Sequence, residues 1–403
     1  MGLSGSHISR GAVVLALGFC IVFIHYSVRY SYGILLPEML VTFGISKLFE
    51  AGIIYTSYFI GYTAFSFLLG LIINRADIRK VVSVFLLILG SGILLMSLSN
   101  GLIEAAISYL LAGIGCAACW VPIVVVVQRW FEKKALSVAV IDMGATIGFF
   151  LSGIIMPILV KVGGWRLGWQ LFSLVSFALS PLTWLLLKSH PENSPQKKGE
   201  SYKESLRHMV VLIRDLRLWM LSISYMLSGF YVMVPFTFLS KYALHEIHIP
   251  YSVAAALVSV IAVGAIPGKL VLASFSEKAG RLKAFVLSGI ASIVGISGMI
   301  FASLIQNTAS IIMISSAIIY GIGYGSLWPL YMAYASDIFS VERVGAVLGF
   351  LTIFFGIGCM SSPPLAGLAA DLTGTLKTSF LMAGIASLLS ILSLLPTGVK
   401  RKL

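Results

Sequence analysis

Residues 113–122 read GIGCAACWVP, and residues 321–329 read GIGYGSLWP. Gly113, Ile114, Gly115 and Trp120 recur 208 residues later as Gly321, Ile322, Gly323 and Trp328. The proline slips by one place, from Pro122 to Pro329, and Phe131 and Phe339 keep the offset. Glycine-rich apolar sequence can repeat by chance. Position argues for duplication instead, because the match lays the fourth apolar run of the chain on the tenth, as a six-plus-six repeat requires.

The composition says what kind of runs these are. Of 403 residues, 59% are hydrophobic and only 11% are charged, against about 25% charged in a soluble domain. No water-soluble fold could hide so much apolar surface, so lipid is the solvent for most of it. A membrane span needs about 20 apolar residues. The sequence supplies twelve such runs: 11–36, 49–73, 80–98, 102–128, 135–160, 168–187, 217–240, 251–275, 284–304, 309–335, 344–368 and 377–396. The first run is too long for a signal-peptide core and reads as a retained helix. The fold class expected is an all-α membrane protein with twelve transmembrane helices in two six-helix pseudo-symmetric halves. The halves are residues 1–187 and 217–403, joined by a cytoplasmic linker over 188–216. The linker contains Ser201-x-x-Glu204, a capping box, and its second half predicts an amphipathic helix on the membrane surface.

The net charge of +13 would suggest nucleic acid on a soluble protein. Here it reads as topology, with no nucleic-acid partner expected. If the N-terminus is cytoplasmic, 21 Lys and Arg fall in cytoplasmic segments and 5 on the opposite face. The positive-inside rule then puts both termini in the cytoplasm of a multi-pass cell inner-membrane protein. Cys20, Cys116, Cys119 and Cys359 all lie in apolar runs and read as packing residues, with no metal or cofactor expected. HExxH, GxSxG and paired acids at catalytic spacing are absent from the sequence, so an enzyme is disfavoured.

The loop after the second run is Gly70-Leu-Ile-Ile-Asn74-Arg75-Ala-Asp77-Ile-Arg79-Lys80, and a degenerate copy, Gly268-Lys269 then Ser276-Glu277-Lys278-Ala-Gly280-Arg281, follows the eighth. These resemble the gating motif of the major facilitator superfamily. Asn74 stands where an acid is usual and Asp77 where a glycine is usual. The resemblance makes Gly70, Asn74, Arg75, Asp77, Arg79, Glu277 and Arg281 a conformational element. Gln128-Arg129-Trp130-Phe131, Gly144, Gly148, Pro157, Gly164-Trp165-Arg166 and Arg29-Tyr30-Ser31-Tyr32-Gly33 are similar to the monocarboxylate and oxalate/formate transporter group. That resemblance implies a monomeric carrier of a small organic anion, coupled to protons.

Ionisable side chains deep in lipid cost about 3 kcal/mol near the centre on insertion scales, so the few present are informative. Arg29 lies ~12 Å from the outer surface at 1.5 Å per residue. It stays ionised, and a substrate anion, a polar nest of tyrosines and carbonyls, or Glu38, Glu50 or Glu104 near the outer surface must hold it. Lys269 falls on the position of the group's substrate-facing cation, with Ala265 one turn earlier where relatives carry a polar or acidic partner. Its alternative is to snorkel to the headgroups. Asp142, ~10 Å deep, and His25, one turn below Arg29, are the proton-coupling candidates; each could equally be a locally hydrogen-bonded packing residue. Tyr32, Trp120, Tyr324, Trp328 and Tyr331 are expected to line the substrate pocket, or to serve as helix packing. The resemblance also sets Asp142 opposite Lys269. If they pair, Asp142→Asn/Lys269→Gln recovers in transport assays part of what each single variant loses; purely additive losses count against the pair.

Overall fold

The computed structural model describes residues 5–72, 77–131, 134–189, 213–339 and 341–398. The amphipathic helix expected in the linker, and Asn74 and Arg75 of the gating motif, lie outside the described residues. All described regular structure is helical, as lipid demands, because a helix satisfies its own backbone. The main helices are α1 (Gly5–Phe43), α2 (Leu48–Ile72), α3 (Ile78–Leu98), α4 (Leu102–Cys116), α5 (Val121–Trp130) and α6 (Lys134–Leu186), then α7 (Leu216–His245) and α8 (Tyr251–Pro267). They continue with α9 (Ala273–Ala279), α10 (Arg281–Phe301), α11 (Ala309–Ile338), α12 (Val341–Thr373) and α13 (Lys377–Leu394).

Eleven helical stretches among the described residues are long and apolar enough to cross a membrane. The twelfth crossing is inside α6, whose 53 residues would make a straight rod of ~80 Å. It is broken at Gly163 (φ −146°, ψ 17°) and Gly164 (φ 76°, ψ 176°), between the spans 135–160 and 168–187 read from sequence. Gly164 takes a positive φ that a residue with a Cβ adopts only at a cost.

The chain divides into two compact units. One comprises α1, α3 to α6 and α2 from Ser57 on; the other comprises Ile45–Thr56 and α7 to α13. In the second unit, the first amides of α2, at Leu48 and Phe49, donate to the Asp371 carboxylate at 2.8 and 2.9 Å, and Thr56 Oγ1 donates to the Met360 carbonyl at 2.6 Å.

Each unit repeats the same internal logic. Gly113 on α4 lies against the backbone of Tyr58 on α2, and Gly115 against the backbone of Leu89 on α3. In the second unit Gly321 on α11 lies against the backbone of Ile261 on α8, and Gly323 against Ser288 and Ser292 on α10. The Gly-x-Gly pairs let two neighbours approach one helix at van der Waals distance, the small-residue device of membrane helix packing. The tryptophans match as well: Trp120 meets Tyr26 of α1 with ring centroids 6.1 Å apart, and Trp328 meets Tyr225 of α7 at 6.0 Å. The units differ at one place. The fourth crossing breaks into α4, a 3-10 turn at Ala117–Cys119 and α5, whereas α11 runs unbroken from Ala309 to Ile338.

A Cβ at Gly113 or Gly321 would strike backbone, and nothing lies within 4 Å of one at Gly349. Gly113→Ala and Gly321→Ala should therefore each destabilise by ~1–3 kcal/mol, read as a lower melting midpoint in detergent, while Gly349→Ala should be neutral or slightly stabilising.

Candidate functional site

The candidate site in the first unit is built around Arg29. Its side chain is 4% exposed. The guanidinium carbon sits 4.5 Å from the centroid of the Tyr62 ring, 5.1 Å from Tyr26, 5.3 Å from Phe59 and 5.6 Å from Tyr58. Arg29 Nε donates to the Tyr58 hydroxyl at 3.3 Å. Four ring faces at ~0.5–1 kcal/mol each offset roughly the ~3 kcal/mol that a charge costs at this depth. The tyrosines of α2 recur at positions 55, 58 and 62, which puts 58 and 62 one turn apart on one helix face. That spacing was the available signal for residues that sequence reasoning passed over.

The layer below Arg29 is held by the break in the fourth crossing. His25 is fully buried, and its Nδ1 lies 3.1 Å from the Cys116 carbonyl at the end of α4. A carbonyl only accepts, so Nδ1 carries a proton. The imidazole packs on Tyr26 at 4.7 Å and on the edge of Tyr62 at 5.4 Å. His25 Nε2 meets no hydrogen-bond partner among the described residues. Above, the Tyr109 hydroxyl donates toward the carbonyls of Val28 and Arg29, at 3.1 and 3.3 Å. Tyr32 stacks on Tyr109 at 5.3 Å and is fully buried, so it braces α1 from behind. Trp120, 8% exposed, closes the break against Tyr26. Asp142 is half-buried on α6 and close enough to Tyr26 to act on it electrostatically. Tyr26 and Tyr62 are themselves half-buried and form the open edge of the box.

The second unit is built differently. Lys269 is half-buried in a π-helical turn, Gly268–Leu272. Gly268 packs on the Ile322 backbone of α11; π-turns of this kind often mark functional positions. Tyr324 and Trp328 are half-buried, and Tyr324 meets Phe236 edge-on at 5.0 Å. Tyr331 is fully buried. Its hydroxyl lies 2.6 Å from Ser224 Oγ, 2.8 Å from Ser228 Oγ and 3.3 Å from Ser390 Oγ. This hydroxyl cluster borders a small cavity lined by Tyr231, Phe285, Leu327, Ser387 and Ser390. Sequence reasoning missed the cluster, because its members are far apart in sequence: Ser224 and Ser228 on α7, Tyr331 on α11 and Ser390 on α13.

Of the gating motif, Asp77 caps α3 by accepting from the Arg79 amide at 3.2 Å and meets the Arg79 guanidinium at 3.5 Å. Gly70 lies within α2. In the second copy, Gly280 turns the chain at φ 98°. Arg281 Nε pairs with Asp337 at 2.9 Å, and its Nη1 donates to Ser276 at 2.6 Å. The motif thus ties the start of α10 to the end of α11, with Glu277 exposed beside it. Arg29, His25 and Asp142 belong to the first unit, and Lys269 to the second.

Comparison with known proteins agrees with the architecture. A family model described as the Major Facilitator Superfamily matches residues 18–318 and 221–402. The chain is similar to human monocarboxylate transporter 11, with 24% identity over 93% of this chain and 80% of that protein. It is similar to the hexuronate transporter of Bacillus subtilis, with 22% identity over 83% of this chain and 82% of that one. The match to the transporter asaE of Aspergillus flavus, at 24% identity, spans 68% of this chain and 61% of that protein's length. Among solved structures, the nucleoside transporter NupG superposes with a TM-score of 0.77 at 17% identity, covering 96% of this chain and all of that one. A bacterial homologue of the lysosomal transporter Spinster gives 0.75 at 15%, covering 98% and 95%. At these identities the structures share the fold.

Removing the Tyr331 hydroxyl leaves three serine hydroxyls to find other partners in a buried site. Tyr331→Phe should cost about 1–3 kcal/mol, measured as a lower melting midpoint, and Ser224→Ala made together with it should restore part of the loss.

Proposed function

The chain belongs to the Major Facilitator Superfamily, and from that premise we propose that it carries a small organic anion, a monocarboxylate in class, by proton-coupled alternating access across the cell inner membrane. The observation that supports this most is Arg29. Arginine cannot discharge inside a protein. Here it is 4% exposed and surrounded by ring faces and a hydroxyl. The forked N–H donors of a guanidinium match the two oxygens of a carboxylate. Two relatives carry substrates in their names, a monocarboxylate and a hexuronate, and a hexuronate is itself a carboxylate.

In this proposal Arg29 binds the carboxylate, and Trp120 with Tyr26 shapes the space beside it. Within the second unit, Lys269 in its π-turn carries a cation of its own, and Tyr324 and Trp328 remain partly open as apolar surface. Tyr331 and Tyr32 serve the site by holding its walls. The second reading is an exporter of neutral or lipophilic compounds. The uncharged hydroxyl cluster around Tyr331 is the feature that favours it.

Uptake of labelled lactate, pyruvate and glucuronate into proteoliposomes under an imposed pH gradient separates the two. Acid-driven accumulation of at least one carboxylate is expected. A flat response to all acids, with transport of neutral compounds, would establish the exporter instead. Arg29→Met should lower affinity for the transported acid about 10- to 100-fold, the worth of one charge-assisted hydrogen bond. Its melting midpoint should stay level or rise, since an apolar residue replacing a buried charge is often neutral or stabilising.

A further inference from the structure

We infer that Nε2 of His25 is the seat of the coupled proton, and that the proton and the carboxylate at Arg29 bind there as a mutually dependent pair. This rests on the carrier reading above and deepens it by naming the site of coupling. The geometry comes first. His25 is fully buried. Its Nδ1–H donates to the Cys116 carbonyl at 3.1 Å, which fixes the tautomer of the neutral ring and leaves Nε2 as a bare acceptor. Among the described residues nothing donates to Nε2. A buried polar atom normally has a partner, and one that lacks it is held ready for something that comes and goes.

The Cys116 carbonyl lies where the fourth crossing changes its winding. α4 ends at Cys116, and the 3-10 turn Ala117–Cys119 replaces the next α-helical turn. The hydrogen bond to this carbonyl orients the imidazole. The titratable and charged groups around it come from four elements. Tyr26 and Arg29 lie on α1 itself. Tyr58 and Tyr62 come from α2, with Tyr62 edge-on to the imidazole at 5.4 Å. Cys116 and Cys119 come from the broken crossing, and the Cys116 side chain also reaches His25 and Tyr58. Asp142 of α6 lies beyond Tyr26.

The coupling follows from charge. A proton from water adds to the Nε2 lone pair and forms an N–H bond. That creates an imidazolium one helical turn from the permanent charge of Arg29. With the anion site empty, the two like charges repel inside a low-dielectric box. A carboxylate at Arg29 cancels one of them, so proton and anion each favour the other's arrival. The effect is reciprocal by thermodynamic necessity. The loaded site carries the same net charge as the empty one, and on release the N–H bond breaks and the anion leaves with its proton.

The test uses the purified full chain and glucuronate, lactate and pyruvate as probes. In weakly buffered solution, binding of the recognised acid should take up about one proton per molecule, and its affinity should rise by up to about tenfold per unit fall in pH. His25→Asn keeps an amide donor for the Cys116 carbonyl and has no group that takes a proton. It should bind the acid with no proton uptake and an affinity flat with pH. Proton uptake that persists in this variant at the wild-type level overturns the inference and leaves the carrier reading standing. Failure of every acid to bind the wild type overturns both. If His25→Asn does not fold, nitrogen NMR of wild type labelled at histidine decides. The bare Nε2 signal of His25 should convert to a protonated one when the acid is added, and a signal that does not move overturns the assignment.

Discussion

A guanidinium held out of water is the constraint on which the first unit depends. Arg29 cannot become neutral, and α1 buries it, so the surrounding helices must present something to it. They present ring faces from α1 and α2. For two rings of α2 to reach the charge, α2 must lie close to α4, which braces α1 through Tyr109. Gly61 and Gly113 permit that approach, each with the backbone of the facing helix against it. α6 is brought against α1 in the same way, with Gly144 on the Phe19 carbonyl and Gly148 on that of Phe23. The glycines are thus part of the electrostatics of the site. A methyl group at one of them would move the rings away from the charge they surround.

The two units share their glycine contacts and their tryptophans, and then diverge in what the interior holds. The first has a permanent charge, an imidazole and two thiols beside a broken helix. The second has hydroxyls on α7, α11 and α13 meeting beside a continuous one. A hydroxyl cluster can satisfy itself, since each member both donates and accepts. A cation cannot. Duplication conserves packing because backbone contacts tolerate no change. It leaves the cavity chemistry free because nothing in helix packing depends on it.

This difference also explains what could be read in the sequence. The spans, their number and the repeat were legible, because lipid imposes length and hydrophobicity on each crossing and close packing imposes glycine at fixed places. The break inside α6 was legible as the gap between the runs 135–160 and 168–187, where the structure puts it at Gly163 and Gly164. Arg29, Lys269, Asp142 and His25 stood out because charge is rare in these runs. Their partners did not. Tyr58 and Tyr62 look like ordinary apolar-run aromatics until the fold turns them toward α1. Asp337, which holds Arg281, is 56 residues away in sequence, with no spacing rule to join them. The Cys116 carbonyl that orients His25 is a backbone atom, invisible in any residue pattern.

The break at Cys116 shows how a local backbone departure can matter more than the residues that mark it. A continuous helix bonds each carbonyl to the amide four residues on, and the second lone pair can still take a side-chain donor, as those of Val28 and Arg29 take the Tyr109 hydroxyl. The 3-10 turn at Ala117–Cys119, with Trp120 at φ −115° and ψ −74°, disturbs that ladder within the apolar interior. The buried Cys116 carbonyl at this point takes a side-chain donor. His25 supplies it. The same bond that satisfies the backbone sets which imidazole nitrogen is bare, and the helical register of α1 places that nitrogen one turn from Arg29. In α11 the carbonyl of Gly323 takes a hydroxyl instead, from Ser288 of α10 at 2.9 Å. The asymmetry between the units, a crossing interrupted by a 3-10 turn in one and a continuous helix in the other, is therefore accompanied by an asymmetry in chemistry: an imidazole on a backbone carbonyl one turn from Arg29 in the first, and hydroxyls in the second.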